Sequence, residues 1–135
     1  MHEPGRTIEP IPEESKKIAA VVVDAALTVH RALGPGLLES VYETCLCHEL
    51  ALREIPFQRQ VAFPIANKGV NLEAGLRIDL VVDDRLIVEL KSVEQHNALF
   101  EAQLLTYLKL TGYRLGLLIN FNGTLLKDGL KRLAL

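Results

Sequence analysis

The sequence predicts an α/β fold, a single-domain αβα sandwich built on a mixed central β-sheet. Apolar residues recur at helical spacing from Glu13 to Leu52, alternation and short apolar runs take over from Phe57 to Lys91, and helical spacing returns once between two further strand-like runs. The resulting order, ααβββαβ(β), calls for a sheet with helices on both faces.

Each element carries its own signal. Met1 to Pro12 (MHEPGRTIEPIP) has prolines and acids but no apolar run, so it is expected to be a flexible tail ahead of a domain spanning 13–135, and not a signal peptide. Ile18, Val21, Val22, Ala25, Val29 and Leu33 mark the first helix, which Gly34-Pro35-Gly36 stops. Leu38, Val41, Tyr42, Cys45, Leu46 and Ala51 or Leu52 mark a second helix that ends before Pro56. Phe57 to Ile65 reads as a strand, Asn67-Lys68-Gly69 as a turn, and Val70 to Val82 as a second strand. Asp83-Asp84 breaks the run before a third strand, Leu86 to Lys91. Ala98 to Leu110 is a helix closed by Gly112. Leu115 to Phe121 (LGLLINF) is apolar on both faces, as a covered central strand requires. Asn122-Gly123 turns the chain, and the stretch to Leu135 is a strand or a short helix.

Composition sets the bounds. The chain has 135 residues, 49% apolar and 24% charged, enough for one core and too ordered in character for a disordered protein. A net charge of −2 gives no global electrostatic case for a nucleic-acid partner, so any basic surface must be local. No apolar stretch is long enough for a bilayer, and a cytoplasmic protein with no membrane partner is expected. Cys45 and Cys47 are two apart on a helix, which points them to different sides and forbids a local bridge. With His48 they lack zinc-ligand spacing and read as reduced core thiols. His30, beside Arg31 at the end of the first helix, reads as a cation suited to the helix dipole and outside the main site.

One stretch, Arg77 to Glu94 (RIDLVVDDRLIVELKSVE), is apolar enough to be a buried hairpin yet holds Asp79, Glu89 and Lys91. A buried charge costs several kcal/mol, on the order given by ion desolvation, unless it is paired, neutralised or bound to a metal. With a two-residue loop at Asp83-Asp84, Asp79 would face Val88 and Glu89 would face Ile78, on opposite sides. A three-residue loop or a bulge shifts the pairing by one. That register sets Asp79 opposite Glu89, Leu80 opposite Val88 and Val82 opposite Leu86, matching apolar with apolar. The odd loop is therefore predicted, with Asp79, Glu89 and Lys91 on one face. Two converging carboxylates with an ammonium alongside form a hard-cation site suited to Mg²⁺. A structural salt bridge across the hairpin is the competing reading of the same spacing.

Asp79, followed ten residues later by Glu89-Leu90-Lys91, resembles the PD-(D/E)XK nuclease signature, with Ile78-Asp79 standing where that signature has Pro-Asp. Gly36-Leu-Leu-Glu39-Ser-Val-Tyr42 is similar to the pattern of the GxxExxY protein family within that superfamily, and Gln103-Leu-Leu-Thr-Tyr107 resembles the Q-x-x-x-Y helix of its exonuclease-like branch. The likeness runs from about Ile18 to the C-terminus, in the family's order. It implies a restriction-endonuclease-like fold and Mg²⁺- or Mn²⁺-dependent hydrolysis of phosphodiester bonds in DNA, or alternatively RNA. By the same resemblance, Asp79, Glu89 and the backbone carbonyl of Leu90 would ligate the metal, Lys91 would serve the attacking water, Glu39 would reach in from its helix, and Gln103 and Tyr107 would belong to the catalytic set.

Spacing supports part of this assignment. Glu39 and Tyr42 share a helix face, as do Gln103 and Tyr107. Each also has a structural explanation: Glu39 as a first-turn acid, Tyr42 as a core aromatic with a wet hydroxyl, Gln103 and Tyr107 as packing residues. Lys16, Lys17, Arg31, Lys127, Lys131 and Arg132 are the cations available for phosphates, and few aromatics are available for stacking bases. A homo-oligomer or a partner protein would help so small a nuclease grip its substrate. A non-catalytic nucleic-acid or protein interaction module on the same fold, or a structural homo-oligomer whose acids form ion pairs, are the alternatives to an enzyme.

Overall fold

The computed structural model describes residues 9–135, and residues 1–8 of the expected tail lie outside them. The elements follow the expected order: α1 (Glu13–Leu33), α2 (Glu39–Leu52), β1 (Phe57–Asn67), β2 (Val70–Val82), β3 (Leu86–Lys91), α3 (Ala98–Thr111), β4 (Leu115–Asn120) and β5 (Leu130–Ala134). The last segment is both of its predicted alternatives, a 3₁₀ turn at Leu126–Gly129 leading into β5. The strands form one five-stranded sheet in the order β1-β2-β3-β4-β5, antiparallel throughout except for the parallel pair β3/β4.

That single parallel step fixes the layers, because a parallel connection needs a crossover and α3 supplies it. α1 and α2 cover one face, packing Val22, Ala25, Ala26, Tyr42, Leu46 and Leu50 onto Leu80, Val88, Leu90 and Leu117. α3 covers the other face, with Leu104 and Leu108 on Ile87 and Leu118. The result is an αβα sandwich. β3 and β4, flanked on both faces and both sides, are buried at every position but their last, which explains their unbroken apolar sequence.

The hairpin between β2 and β3 has the register expected from the odd loop. Leu80 pairs with Val88 and Val82 with Leu86, leaving residues 83–85 as the connection. Asp83 and Asp84 both adopt left-handed φ of 52°, a conformation Asp tolerates because its short side chain bonds locally. Asp83 Oδ2 accepts from Arg85 Nε at 3.2 Å, and Asp84 Oδ1 from the Tyr113 hydroxyl at 2.6 Å.

Burial departs from the sequence pattern in two places. α2 is apolar on more sides than a single layer can cover, so Leu38, Val41 and Leu52 are exposed although they share its helical pattern. His30, at the end of α1, is buried, its Nε2 donating to the Gly123 carbonyl at 2.8 Å. Both cysteines are free. No helix among the described residues is long and apolar enough to cross a membrane.

α3 rests on the sheet at Gly116, where an added Cβ would come within 3.0 Å of Leu104 Cδ1 and 3.2 Å of Cδ2. Gly116→Val should therefore push α3 off β4 and lower the unfolding free energy by about 1–3 kcal/mol. Urea titration checks this, and an unchanged midpoint would show that α3 does not need the close approach.

Candidate active site

Asp79 sits where β2 turns over. Leu76 and Ile78 pack in the α3-side cluster, whereas Leu80 and Val82 pack beneath α1 and α2. Strict alternation would keep all four on one side. The partner strand turns too: the ladder skips Gln60, which would stand opposite Asp79 and has a left-handed φ of 49°. From this bend toward the hairpin tip, β1 and β2 run as a two-stranded ribbon that packs Val61, Phe63 and Ile65 on the α3 side.

The bend also parts β2 from β3, whose ladder runs only from Leu80 and Val88 to Val82 and Leu86. At the parting, the Leu90 N–H donates to Asp79 Oδ2 at 2.8 Å, a side chain standing where a ladder carbonyl would be. The Asp79 N–H donates to Glu89 Oε1 at 3.4 Å. The two carboxyl groups therefore face each other in the gap between the strands.

This crowding shows in the acidities. Glu89 is only 6% exposed. Burial first, then the Asp79 charge and a hydrogen bond with the Asp79 carboxyl, push it up to about 9, against weaker opposing effects from the Asp79 N–H and Lys91. Glu39 is exposed as a residue, but its carboxyl is raised by partial desolvation and by Asp79, with Lys91 opposing and Glu43 adding to the rise. The Tyr107 phenol is raised by burial, then by Glu89 and Asp79. Strands β2 and β3, helix α2 and helix α3 thus bring titratable groups into one field.

Lys91 does not close that field with an ion pair. Its ammonium lies 4.5 Å from the centroid of the Phe100 ring, and the ion pairs of the described residues do not include it. The cross-strand salt bridge that competed with the metal reading is thus not what the hairpin builds.

A clamp brings Glu39 to this place. Gly34 and Gly36 flank Pro35 with φ of 74° and 94°, angles that only glycine adopts freely, and they fold the chain sharply between α1 and α2. The Tyr42 hydroxyl donates to the Gly34 carbonyl at 2.6 Å and accepts from the Leu37 N–H at 3.1 Å. Its ring stacks on Phe121, centroids 4.4 Å apart and planes 7° apart. Ser92, directly after Lys91, donates from its hydroxyl to the Leu37 carbonyl at 2.6 Å. The loop that starts α2 is therefore tied to the end of β3, and Glu39 in the first turn of α2 faces Asp79 and Lys91.

The structure thus brings together Asp79, Glu89, Lys91, Glu39 and Tyr107, with Leu90 in the backbone between the acids and Lys91. Tyr42 stands behind them as the clamp. Gln103 is exposed one turn before Tyr107 on the same helix face. Glu43 is committed elsewhere, accepting from Arg59 Nη2 at 2.9 Å and Gln60 Nε2 at 2.7 Å. Phe100, Ser92 and Asn120 carried no sequence signal. Asn120 pairs with Lys91 across the parallel ladder, and its side-chain amide bonds the Val93 N–H and carbonyl at 3.1 and 3.0 Å, fixing how the chain leaves β3.

As a cation site this is sparse. Among the described residues no group of three or more His, Cys, Asp and Glu side chains is arranged to hold a metal. Two facing carboxylates fit Mg²⁺ better than they fit a caged ion, because Mg²⁺ keeps several waters and takes one or two protein carboxylates.

A family model for the PD-(D/E)XK nuclease superfamily matches residues 16–133, and the αβα sandwich has the restriction-endonuclease-like arrangement expected of it. No curated protein and no solved structure matches the chain.

Two outcomes follow from the site's physics. Tyr42→Phe keeps the ring stack but strands the Leu37 N–H and Gly34 carbonyl, so it should cost about 1–3 kcal/mol and speed hydrogen exchange at the Leu37 amide. Unchanged exchange there would mean that the hydroxyl does not hold the loop. The raised Glu89 makes the metal-free protein sensitive to pH. Below about 4.5 both folded and unfolded chains hold its proton, whereas above that value the unfolded chain loses it and the folded chain keeps it until about 9. Stability should therefore fall as pH rises from about 4.5 to about 9, a dependence that Glu89→Gln should flatten in melts recorded in chelator.

Proposed function

The chain belongs to the PD-(D/E)XK nuclease superfamily, and on that premise we propose that it is a Mg²⁺-dependent nuclease that hydrolyses phosphodiester bonds of DNA, Mn²⁺ being the substitute metal and RNA the second substrate to test. Nucleases of this superfamily act on nucleic acid and are generally dependent on a divalent metal. The carrying observation is the pair of facing carboxyl groups, Asp79 and Glu89, at the point where two strands part, with Glu89 pushed up to about 9 by burial first and by Asp79 next, beyond what Lys91 offsets. A fold that spends a ladder position on two mutually repelling acids gains from it when a cation sits between them.

In this reading Asp79, Glu89 and the Leu90 carbonyl hold the metal, and Glu39 adds a carboxylate from α2. A cation held there would supply positive charge for the oxygens of the phosphoryl group and would make a bound water more acidic. Lys91 lies beside the acids, close enough to oppose the upward pKa shifts of Glu89 and Glu39, so its ammonium would orient that water or hold the scissile phosphate. Tyr107 offers its phenol from α3 as a donor to the substrate, and Gln103 extends the same helix face. Tyr42 is a positioning residue that works through Glu39. The Gly36, Glu39 and Tyr42 pattern further supports a place in the GxxExxY family.

Metal-dependent cleavage of single-stranded, duplex and branched nucleic acids tests the reading. Lys91→Ala should keep metal binding, read as a metal-induced rise in melting temperature, yet lose about 10²–10⁴ in rate. Asp79→Ala should lose both. Cleavage that survives undiminished in both variants would assign the activity to another site, and no cleavage by the wild type on any of these nucleic acids would shift the domain to a binding role.

A further inference from the structure

The carboxyl pair is one end of a row of side chains that crosses the sheet. The ladders set Glu89 beside Leu118 and Leu118 beside Lys131, and partners in adjacent strands share a face. Leu118 lies in the α3-side cluster, so that is the face of the row. Two strand spacings, about 10 Å, separate Glu89 from Lys131 at the backbone. One step along the strands, Lys91 lies beside Asn120.

Between Lys91 and Lys131 is a cavity of about 160 Å³, floored by Leu118 and Asn120 and walled by Phe100 and His96. The 3₁₀ turn closes it with Asp128 and Gly129. Glycine is needed there, because a Cβ at Gly129 would stand 2.3 Å from the Asn120 backbone oxygen. Lys91 therefore borders both the acids and this cavity.

Size and charge define what would fit. The volume falls short of the roughly 300 Å³ at which pockets for whole small molecules begin, so it suits a phosphate with part of its sugar and not a nucleotide. The Phe100 ring offers little to a base, since Lys91 lies over it and His96 meets it edge-on with centroids 6.3 Å apart. His96 is engaged by Glu101 at 2.8 Å. The Asn120 amide is spent on backbone groups. That leaves two ammonium groups against the Asp128 carboxylate, a balance that favours one negative charge. An internal phosphodiester carries one, whereas a terminal phosphate carries about −1.5 to −2 near neutral pH. Lys131 lies exposed on the edge strand, bordering also a groove beside α1, and is not among the ion-paired residues described.

We propose that this cavity is a subsite for the phosphodiester next to the one cleaved, with Lys131 as its specific cation. It rests on the nuclease reading for its place in the reaction, but binding can be read without cleavage. The probe is a set of single-stranded oligonucleotides, each with one uncharged methylphosphonate linkage at a successive position, titrated in chelator against the wild type, Lys131→Ala and Lys131→Arg. The wild type should lose about tenfold in affinity when the linkage in the cavity is neutral. Lys131→Ala should bind the all-phosphate strand about that weakly, ignore the same neutral linkage, and show a plot of log K against log salt shallower by about 0.7. Lys131→Arg should restore both, and all three proteins should melt together. Cleavage with metal then locates the sensitive linkage relative to the broken bond. Wild-type affinity and salt slope in Lys131→Ala would overturn the subsite, as would a sensitive linkage remote from the broken bond. A Lys131-dependent linkage in a protein that cleaves nothing would keep the subsite and sink the nuclease reading.

Discussion

The hydrogen bond from the Leu90 N–H to Asp79 Oδ2 is the contact on which the rest of the site depends. A central strand whose edge is left unpaired exposes N–H groups that must find another acceptor. Here the parting of β2 from β3 creates the need and an acid meets it, so the carboxylate is held by the backbone it disrupts. The same bond turns the Asp79 side chain into the gap, where Glu89 also points. A neutral residue of similar size would satisfy the backbone and remove the Asp79 contribution to the rise at Glu89, leaving the larger one from burial. The electrostatic cost is therefore separable from the structural need, which is why the acids themselves point to a cation.

The bend has a second effect, on layers. By turning over at Asp79, β2 contributes Leu80 and Val82 to the core under α1 and α2 and Leu76 and Ile78 to the core under α3. The acids therefore lie at the seam between the two cores, within reach of both helical layers. α2 delivers Glu39 through the Gly34–Gly36 fold, held by Tyr42 and Ser92, and α3 delivers Tyr107. A site placed wholly beneath one layer could draw on the helices of that layer only.

The elements and the hairpin register were legible in the sequence, because both rest on local periodicity: the apolar match of Leu80 with Val88 and Val82 with Leu86 allowed one register. The turning over of β2 was not. It shows as an alternation that changes phase between Ile78 and Leu80, but Ile78, Leu80, Val81 and Val82 are all apolar, and a run of that kind hides its own parity. The burial of His30 was not legible because its acceptor, the Gly123 carbonyl, is 93 residues away. Phe100 was invisible as the seat of Lys91 for the same reason, since the contact is made only once the crossover from β3 through α3 is folded. Which apolar residues of α2 are covered was not legible either, because hydrophobicity states what a side chain tolerates and the space beneath the helix decides which are buried: Leu46 is fully buried and Leu38 is 74% exposed.

A net charge of −2 argues against a protein that grips nucleic acid over a broad surface, and the arrangement of charge in the site explains how the two facts coexist. Exposed charges farther apart than about 8–10 Å are largely screened at physiological salt. The acids at Asp83 and Asp84 lie in the exposed hairpin loop beyond the β2/β3 ladder, and two of the other acids, Glu43 and Asp24, are neutralised by Arg59 and Arg53. What a phosphate at the sheet would feel is the local set, Lys91 and Lys131 against Asp79, Glu89 and Asp128. Without a divalent cation that set is acidic on the β2 side and cationic on the β5 side. Two positive charges added between Asp79 and Glu89 make the whole row attractive to a phosphodiester chain. On the nuclease reading, then, metal and substrate are coupled through charge, and a chain with no long-range steering of its own engages nucleic acid more tightly once the cation has bound.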